Sequence, residues 1–217
     1  MPELLNEIYL RLLERYGRQN WWPARSAFEM MVGAVLTQNT AWTNVEKAIT
    51  RLPDGLSPAI LLGMGREQLI DAIRPSGFFN QKCERLYTLA RWASPYISHD
   101  GGCSAVEETP VLRAALLSLN GIGRETADSI LLYAFGRPVF VIDAYTRRIF
   151  ERIGTEVPSD YDGFARVFTG ALPEDAALFN EYHALIIALA KRHCRSKNPL
   201  CVDCPLNVLC RQRQQAV

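Results

Sequence analysis

The chain has 217 residues, 48% of them apolar and 22% charged, with a formal net charge of +1 and a mean hydropathy of −0.04. That is the balance of a soluble globular protein, with enough length to bury a core without disulfide staples in one large domain or two small ones. No run approaches the ~18 apolar residues of a membrane span, and repeats and low-complexity tracts are absent. The opening Met-Pro-Glu-Leu-Leu-Asn-Glu lacks the basic and apolar regions of a secretory signal. A cytoplasmic protein, nucleoid-associated in a bacterium and with no membrane partner, is the expectation.

The rhythm is helical from the start. Leu4, Leu5, Ile8, Leu12 and Leu13 recur at three- and four-residue spacing, and Gly17 offers a stop. The same pattern predicts helices at about 25–36, 41–51, 57–63, 66–73, 80–93, 109–118, 124–135, 144–153, 160–171 and 175–192. Breakers fall between them at Pro53-Asp54-Gly55, Arg74-Pro75-Ser76-Gly77, Asp100-Gly101-Gly102, Asn120-Gly121-Ile122-Gly123 and Gly136-Arg137-Pro138. The one apolar β-branched run, Val139-Phe140-Val141-Ile142, is too short and too isolated to build a sheet, so the fold class predicted is all-α.

The near-neutral charge is a sum of two unlike parts. Residues 191–217 hold Lys191, Arg192, Arg195, Lys197, Arg211 and Arg213 against Asp203, a local +5, which leaves −4 over the rest. Phosphate binding needs basic side chains concentrated in this way. The choice of cation is also uneven, with 20 Arg and four Lys: Lys47, Lys82, Lys191 and Lys197.

Four of the six cysteines crowd this tail as Cys194-x6-Cys201-x2-Cys204-x5-Cys210. In a cytosolic chain such a group points to a metal rather than to disulfides. A zinc site usually pairs two short knuckles, and here Cys201 and Cys204 form one. A [4Fe–4S] cluster also takes four thiolates and tolerates a single compact loop, and the spacing favours it over zinc. Cys83 and Cys103 read as plain thiols, and His99, His183 and His193 receive no role; His193, beside Cys194, could approach the metal, with a surface place the readier reading.

The segment Leu119-Asn120-Gly121-Ile122-Gly123-Arg124-Glu125 lies between two helical patterns. Its glycines permit a tight turn and a close backbone approach, and a helix starting near Arg124 offers N–H groups and a positive dipole end to a phosphate. A simple packing corner is the plainer alternative. Twenty residues on, an apolar run delivers Asp143 to a helix start, where an Asp is ordinarily an N-cap.

Hairpin, aspartate and four-cysteine loop, in this order and spacing, resemble the endonuclease III family of helix-hairpin-helix DNA glycosylases over nearly the whole chain. The resemblance implies a six-helix barrel at 23–137, with the hairpin at about 112–135. It also implies an iron–sulfur cluster domain made of 1–22 and 138–217, with DNA across the cleft between them. Cys194, Cys201, Cys204 and Cys210 would hold a [4Fe–4S] cluster. The implied partner is double-stranded DNA with a damaged base, bound by a monomer.

At a decisive position the sequence departs from that family. Its bifunctional members carry a lysine two residues after the second hairpin glycine, whose amine forms a Schiff base with the sugar; here the residue is Glu125, and a carboxylate forms no imine. The implied reaction is cleavage of the N-glycosidic bond alone, with Asp143 as the catalytic carboxylate.

The pocket motifs are more similar to the group called 3-methyladenine DNA glycosylase III. They are Trp21-Trp22-Pro23, Gly33-Ala34-Val35-Leu36-Thr37-Gln38-Asn39-Thr40, Arg74-Pro75-Ser76-Gly77-Phe78-Phe79-Asn80-Gln81-Lys82, and Gly121-Ile122-Gly123 followed by Glu125. By position the aromatic sandwich for the flipped base would use Trp22, Pro23 and Trp42, with Trp21 adjacent and Glu125 in the pocket. Gln38 and Phe78 would plug and wedge the stack, while Gly121, Gly123, Arg195 and Lys197 would grip the backbone. That group lacks the iron–sulfur loop, so the chain combines an alkylbase-type pocket with an endonuclease III-type tail. The function implied is a monofunctional glycosylase for alkylated purines such as 3-methyladenine. Alternatives are a glycosylase/lyase for oxidised pyrimidines, a mismatch glycosylase, or a non-catalytic damaged-DNA-binding protein.

Overall fold

The computed structural model describes residues 1–215. In chain order they form α1 (Pro2–Tyr16), α2 (Ala27–Leu36), α3 (Trp42–Ile49), α4 (Pro58–Gly63), α5 (Arg66–Ile73), α6 (Phe79–Ala93), α7 (Thr109–Ser118), α8 (Arg124–Tyr133), α9 (Ala144–Ile153), α10 (Tyr161–Thr169), α11 (Ala176–Arg192) and α12 (Arg211–Gln215). A 3₁₀ turn, Arg74–Ser76, joins α5 to α6. Among the described residues β pairing is limited to an isolated bridge between Ile97 and Cys103, and no helix is long and apolar enough to cross a membrane.

Helix spans follow the sequence pattern to within one or two residues, and the departures have local causes. The segment expected to run to 135 stops at Tyr133 because Gly136 takes a left-handed φ of 62° and the Arg137 N–H turns back to Leu131 O. The Arg74–Ser76 break is itself a 3₁₀ turn. The five polar residues of α12 carry no apolar period to announce them.

The chain divides into two compact units, Trp22–Arg137 and a second made of Met1–Trp21 with the residues from Pro138 onward. In the first, α2 is apolar on every side, buried from Phe28 to Leu36, and packed against α3, α6 and α8. The Ser26 side chain caps its start by accepting the Glu29 N–H at 3.1 Å. The helices flanking the hairpin are pinned by Arg113 of α7, whose guanidinium makes a two-pronged bond to the buried Asp128 carboxylate of α8 at 2.7 and 3.0 Å.

In the discontinuous unit α11 packs against α1 and α9. The buried Tyr182 hydroxyl donates to Leu5 O at 2.8 Å, which ties α11 to α1. The run Val139–Ile142 forms no strand. It threads an aromatic core instead, where Phe140 stacks on Phe168 with centroids 3.7 Å apart and meets Phe179 and Tyr182 edge-on. That apolar segment ends on Asp143, the N-cap of α9.

Candidate active site and nucleic-acid interface

Asp143 is a cap and more than a cap. Its Oδ1 accepts both the Thr146 N–H at 2.7 Å and the Thr146 hydroxyl at 2.9 Å. Its Oδ2 faces the buried His183 Nε2 at 3.6 Å, so the two oxygens have separate duties. Burial pushes the carboxyl pKa up, but the His183 ring and the two Thr146 donors outweigh it, and the net result lies below the ordinary carboxylate value. An ionised carboxylate held between Thr146 and His183 can offer negative charge to a developing cation or accept a proton from a water. Sequence reasoning missed His183: it stands forty residues away on α11, and a lone histidine on an apolar helix face carries no signal of its partner.

The four clustered cysteines line a single cavity together with Arg152, His193, Pro199, Leu200 and Asn207. Burial pushes the Cys204 thiol up to about 11. Two arginines of α9 brace this loop. Arg148 donates twice to Cys194 O, at 2.9 and 3.1 Å. Arg152 donates to the Cys194 sulfur at 3.3 Å, to Arg195 O at 2.6 Å and to Ser196 O at 3.0 Å. The Cys210 thiol returns a bond to Arg152 O at 3.2 Å. His193, read as a surface residue from sequence, is half-buried on the cavity wall with Nδ1 2.7 Å from the Tyr16 hydroxyl. Arg195 and Lys197 are exposed on the braced loop. Among the described residues no three His, Cys, Asp or Glu side chains gather as a single metal ion would require.

In the Trp22–Arg137 unit the aromatic motif resolves into a corner rather than a sandwich. Trp22 meets Trp42 at 5.2 Å and 81°, and meets Tyr133, which the sequence did not single out, at 5.3 Å and 61°. Edge-to-face contact is the geometry ring quadrupoles favour, and rings this close leave no slot between them for a base. The Trp22 indole lies flush on α2 because position 33 is glycine; a Cβ there would stand 3.3 Å from it. Pro23 is exposed at the centre of a tight turn closed by the Ala24 N–H on Trp22 O. Glu125 is exposed on the first turn of α8, eight residues or ~12 Å along the axis from Tyr133. Trp21, counted in the discontinuous unit, has the Lys191 ammonium 5.6 Å over its ring.

The hairpin turns at Gly121, whose φ is 81°; a Cβ there would strike the Arg85 side chain at 2.1 Å. Ile122 anchors the turn at 6% exposure, and the exposed Gly123 starts α8 without a side-chain cap. Gln38 is half-buried and tied to the hairpin: its amide nitrogen donates to Gly121 O and Thr126 Oγ1, both at 3.0 Å, and its oxygen accepts from Arg85 at 2.6 Å. Phe78 is the opposite case. It is 62% exposed and takes a left-handed φ of 47°, a conformation bulky side chains avoid.

The sequence profile of the HhH-GPD superfamily of base excision DNA repair proteins matches residues 32–168, a span that includes the hairpin and Asp143. The chain belongs to this superfamily. It is 45% identical over 212 residues, 96% of each chain, to a Methanocaldococcus jannaschii protein assigned by inference as a DNA repair glycosylase. It is 29% identical to the Thermotoga maritima endonuclease III, over 95% of this chain and 92% of that one. Among solved structures, an endonuclease III–DNA complex superposes with a TM-score of 0.81 over 100% of this chain and 98% of that one at 23% identity, a likeness of fold. A Helicobacter pylori 3-methyladenine DNA glycosylase bound to 1,N6-ethenoadenine is 30% identical, covers 88% of this chain and 97% of that one, and gives a TM-score of 0.70. This member of the superfamily is therefore a helix-hairpin-helix DNA glycosylase.

Proposed function

We propose that the protein is a monofunctional glycosylase that removes alkylated purines, 3-methyladenine first, from duplex DNA. The observation that carries this reading is the half-buried corner of Trp22, Trp42 and Tyr133. A base alkylated at N3 or N7 is cationic, and an indole face attracts a cation by ~0.5–2 kcal/mol that a neutral purine does not receive. The likeness to the H. pylori 3-methyladenine DNA glycosylase, seen bound to 1,N6-ethenoadenine, supports it. The base would stack on one ring of the corner, or the rings would part to admit it.

Extrusion of the nucleotide costs a few kcal/mol, and Phe78 and Gln38 are the residues proposed to fill the gap. The Gly121–Gly123 turn with Arg195 and Lys197 would hold phosphates. A charged leaving base needs little protonation, so the task left is to stabilise an oxocarbenium-like sugar and direct water, the task proposed for the Asp143 carboxylate. Support for the monofunctional reading comes from the lysines. Lys82 is 1% exposed with its ammonium enclosed, and Glu125 occupies the position where a lyase amine would stand.

Cys194, Cys201, Cys204 and Cys210 are the residues we propose to hold a [4Fe–4S] cluster. The donor set fits: four thiols on one cavity, with Arg148 and Arg152 to offset thiolate charge. The spacing Cys194-x6-Cys201-x2-Cys204-x5-Cys210 supports a cluster over zinc, which usually pairs two short knuckles where this loop has one. A cubane spreads its thiolates around a larger body. When bound it would stiffen the loop that carries Arg195 and Lys197.

Incubation with methylated DNA is the test: released 3-methyladenine and abasic sites are expected, and no release at enzyme excess contradicts the reading. The full-length likeness to endonuclease III favours a second reading, a glycosylase/lyase for oxidised pyrimidines. Borohydride reduction separates the two, since a covalent protein–DNA adduct belongs to the lyase alone.

A further inference from the structure

Lys82 lies in the first turn of α6 and is 1% exposed. Its ammonium donates to Leu36 O at 2.8 Å, Thr40 Oγ1 at 2.8 Å and Ser76 O at 2.7 Å. All three partners are neutral. A buried ammonium is ordinarily paired with an acid, so a charge held by dipoles alone calls for a reason.

The partners supply one. Leu36 is the last residue of α2, so its carbonyl is an unsatisfied helix-end acceptor at the negative pole of the helix dipole. Ser76 ends the 3₁₀ turn that leads into Gly77 and Phe78. Thr40 closes the turn that carries Gln38, and its hydroxyl also contacts Gln38 O and Ser76 O. One ammonium therefore fastens two loops, residues 37–41 and 74–78. Each loop holds a non-glycine residue in the left-handed region, Asn39 at φ 51° and Phe78 at φ 47°. Such backbone persists where its surroundings over-determine it, and the Lys82 tie does so for both loops at once.

We infer that Lys82 is a positioning residue that locks the Gln38 loop and the Phe78 loop into one rigid unit, so that both side chains enter the duplex together. The inference rests on the proposal that Gln38 and Phe78 act on the base stack. Burial and the neighbouring Arg85 guanidinium bring the Lys82 pKa down to about 8. The facing groups on α2, the 37–41 loop and the 3₁₀ turn are two carbonyls and a hydroxyl, which do not titrate in this range; Arg85 of α6 is the charged neighbour. At neutral pH the ammonium keeps its third proton, and three donors match three acceptors.

The test uses the full-length protein and a duplex holding a tetrahydrofuran abasic analogue beside 2-aminopurine, whose fluorescence rises when its neighbours unstack. Gln38→Ala and Phe78→Ala should each weaken binding and lower the fluorescence rise. Lys82→Met should weaken binding about tenfold, lower the rise as far as the two loop variants combined, and add little when joined to them. Thr40→Val, which keeps the lysine but cuts the hydroxyl link, should give a smaller loss in the same direction and covers the case in which Lys82→Met fails to fold. If Gln38→Ala and Phe78→Ala weaken binding but Thr40→Val and folded Lys82→Met do not, the inference is overturned while the loop reading stands. Full additivity of Lys82→Met with the loop variants overturns it too. If Gln38→Ala and Phe78→Ala themselves bind and unstack like wild type, the loop reading fails and takes the inference with it.

Discussion

In the discontinuous unit the proposed site residues are fixed by side chains of helices: Asp143 caps α9 against His183 of α11, and the cysteine loop is gripped by Arg148 and Arg152 of α9. In the Trp22–Arg137 unit Gln38, Phe78 and Gly121 sit on turns, where Gly121, Asn39 and Phe78 take left-handed backbone and Lys82 and Arg85 steady the loops. The contrast follows from the tasks. A carboxylate that stabilises charge at one atom benefits from a rigid element, whereas groups that enter a base stack must project from the surface. Left-handed backbone and buried polar groups do not themselves separate the units, since Asn20 and Asn198 of the discontinuous unit share the first and Lys82 and Asp128 of the other share the second; the difference lies in whether the proposed site residues hang on helix side chains or on exposed turns.

Several substitutions sharpen or break this contrast, from large effects to small. His183→Asn should lower the rate of base release by about tenfold or more, because it acts through Asp143, and should leave abasic-site binding unchanged. Single-turnover kinetics beside a binding titration reads both; an equal loss in both places His183 in the grip rather than the chemistry. Trp42→Leu keeps apolar bulk but removes the ring, and should cut the preference for methylated over unmodified purine by ~2- to 30-fold. Competition between the two substrates measures that ratio, and an unchanged ratio would remove the aromatic corner from base selection.

Smaller effects fall on stability. Asp143→Ala should cost ~0.5–2 kcal/mol through the lost cap, and Asp143→Asn, which still accepts the Thr146 N–H, should cost less. The native carboxyl lies below its ordinary value of 3.8, so its contribution is present above that pH and is lost as pH falls through the native value. The gap between wild type and Asp143→Ala in urea titrations should therefore narrow below about pH 4. A gap independent of pH would show that the capping charge is irrelevant. Phe78→Gly should change stability by ~1 kcal/mol or less in the favourable direction, since relief of left-handed strain exceeds the added chain entropy, while it weakens DNA binding. If it destabilised the fold, Phe78 would be a packing residue and the contrast between the units would fail.

Much of this was legible in residue order. Apolar spacing placed the helices, and Gly17 and Gly136 placed stops, because helix periodicity and left-handed glycine turns are local properties. The alternate glycines, Asp143 and the cysteine spacing drew attention to the hairpin, the start of α9 and the cavity loop for the same reason. What stayed hidden is what depends on contact across the chain. His183 meets Asp143 through two helices, Tyr133 meets Trp22 across α8, and Lys82 meets Leu36 and Ser76 through the turns around it. The sandwich of Trp22, Pro23 and Trp42, implied by the resemblance, was a statement about ring orientation, which no spacing encodes; in the structure Trp22 and Trp42 meet at a corner. Glycine offered the one usable hint, since Gly33 on a buried helix and Gly121 in the hairpin mark where Trp22 and Arg85 lie against the backbone.

The most direct measurement of the account is Asp143→Asn assayed side by side for 3-methyladenine release and for affinity to an abasic-site duplex. Release should fall by ~10²- to 10⁴-fold with affinity unchanged, as a carboxylate that serves the reaction and not the grip requires. Release at the wild-type rate, or a parallel loss of affinity, would contradict it.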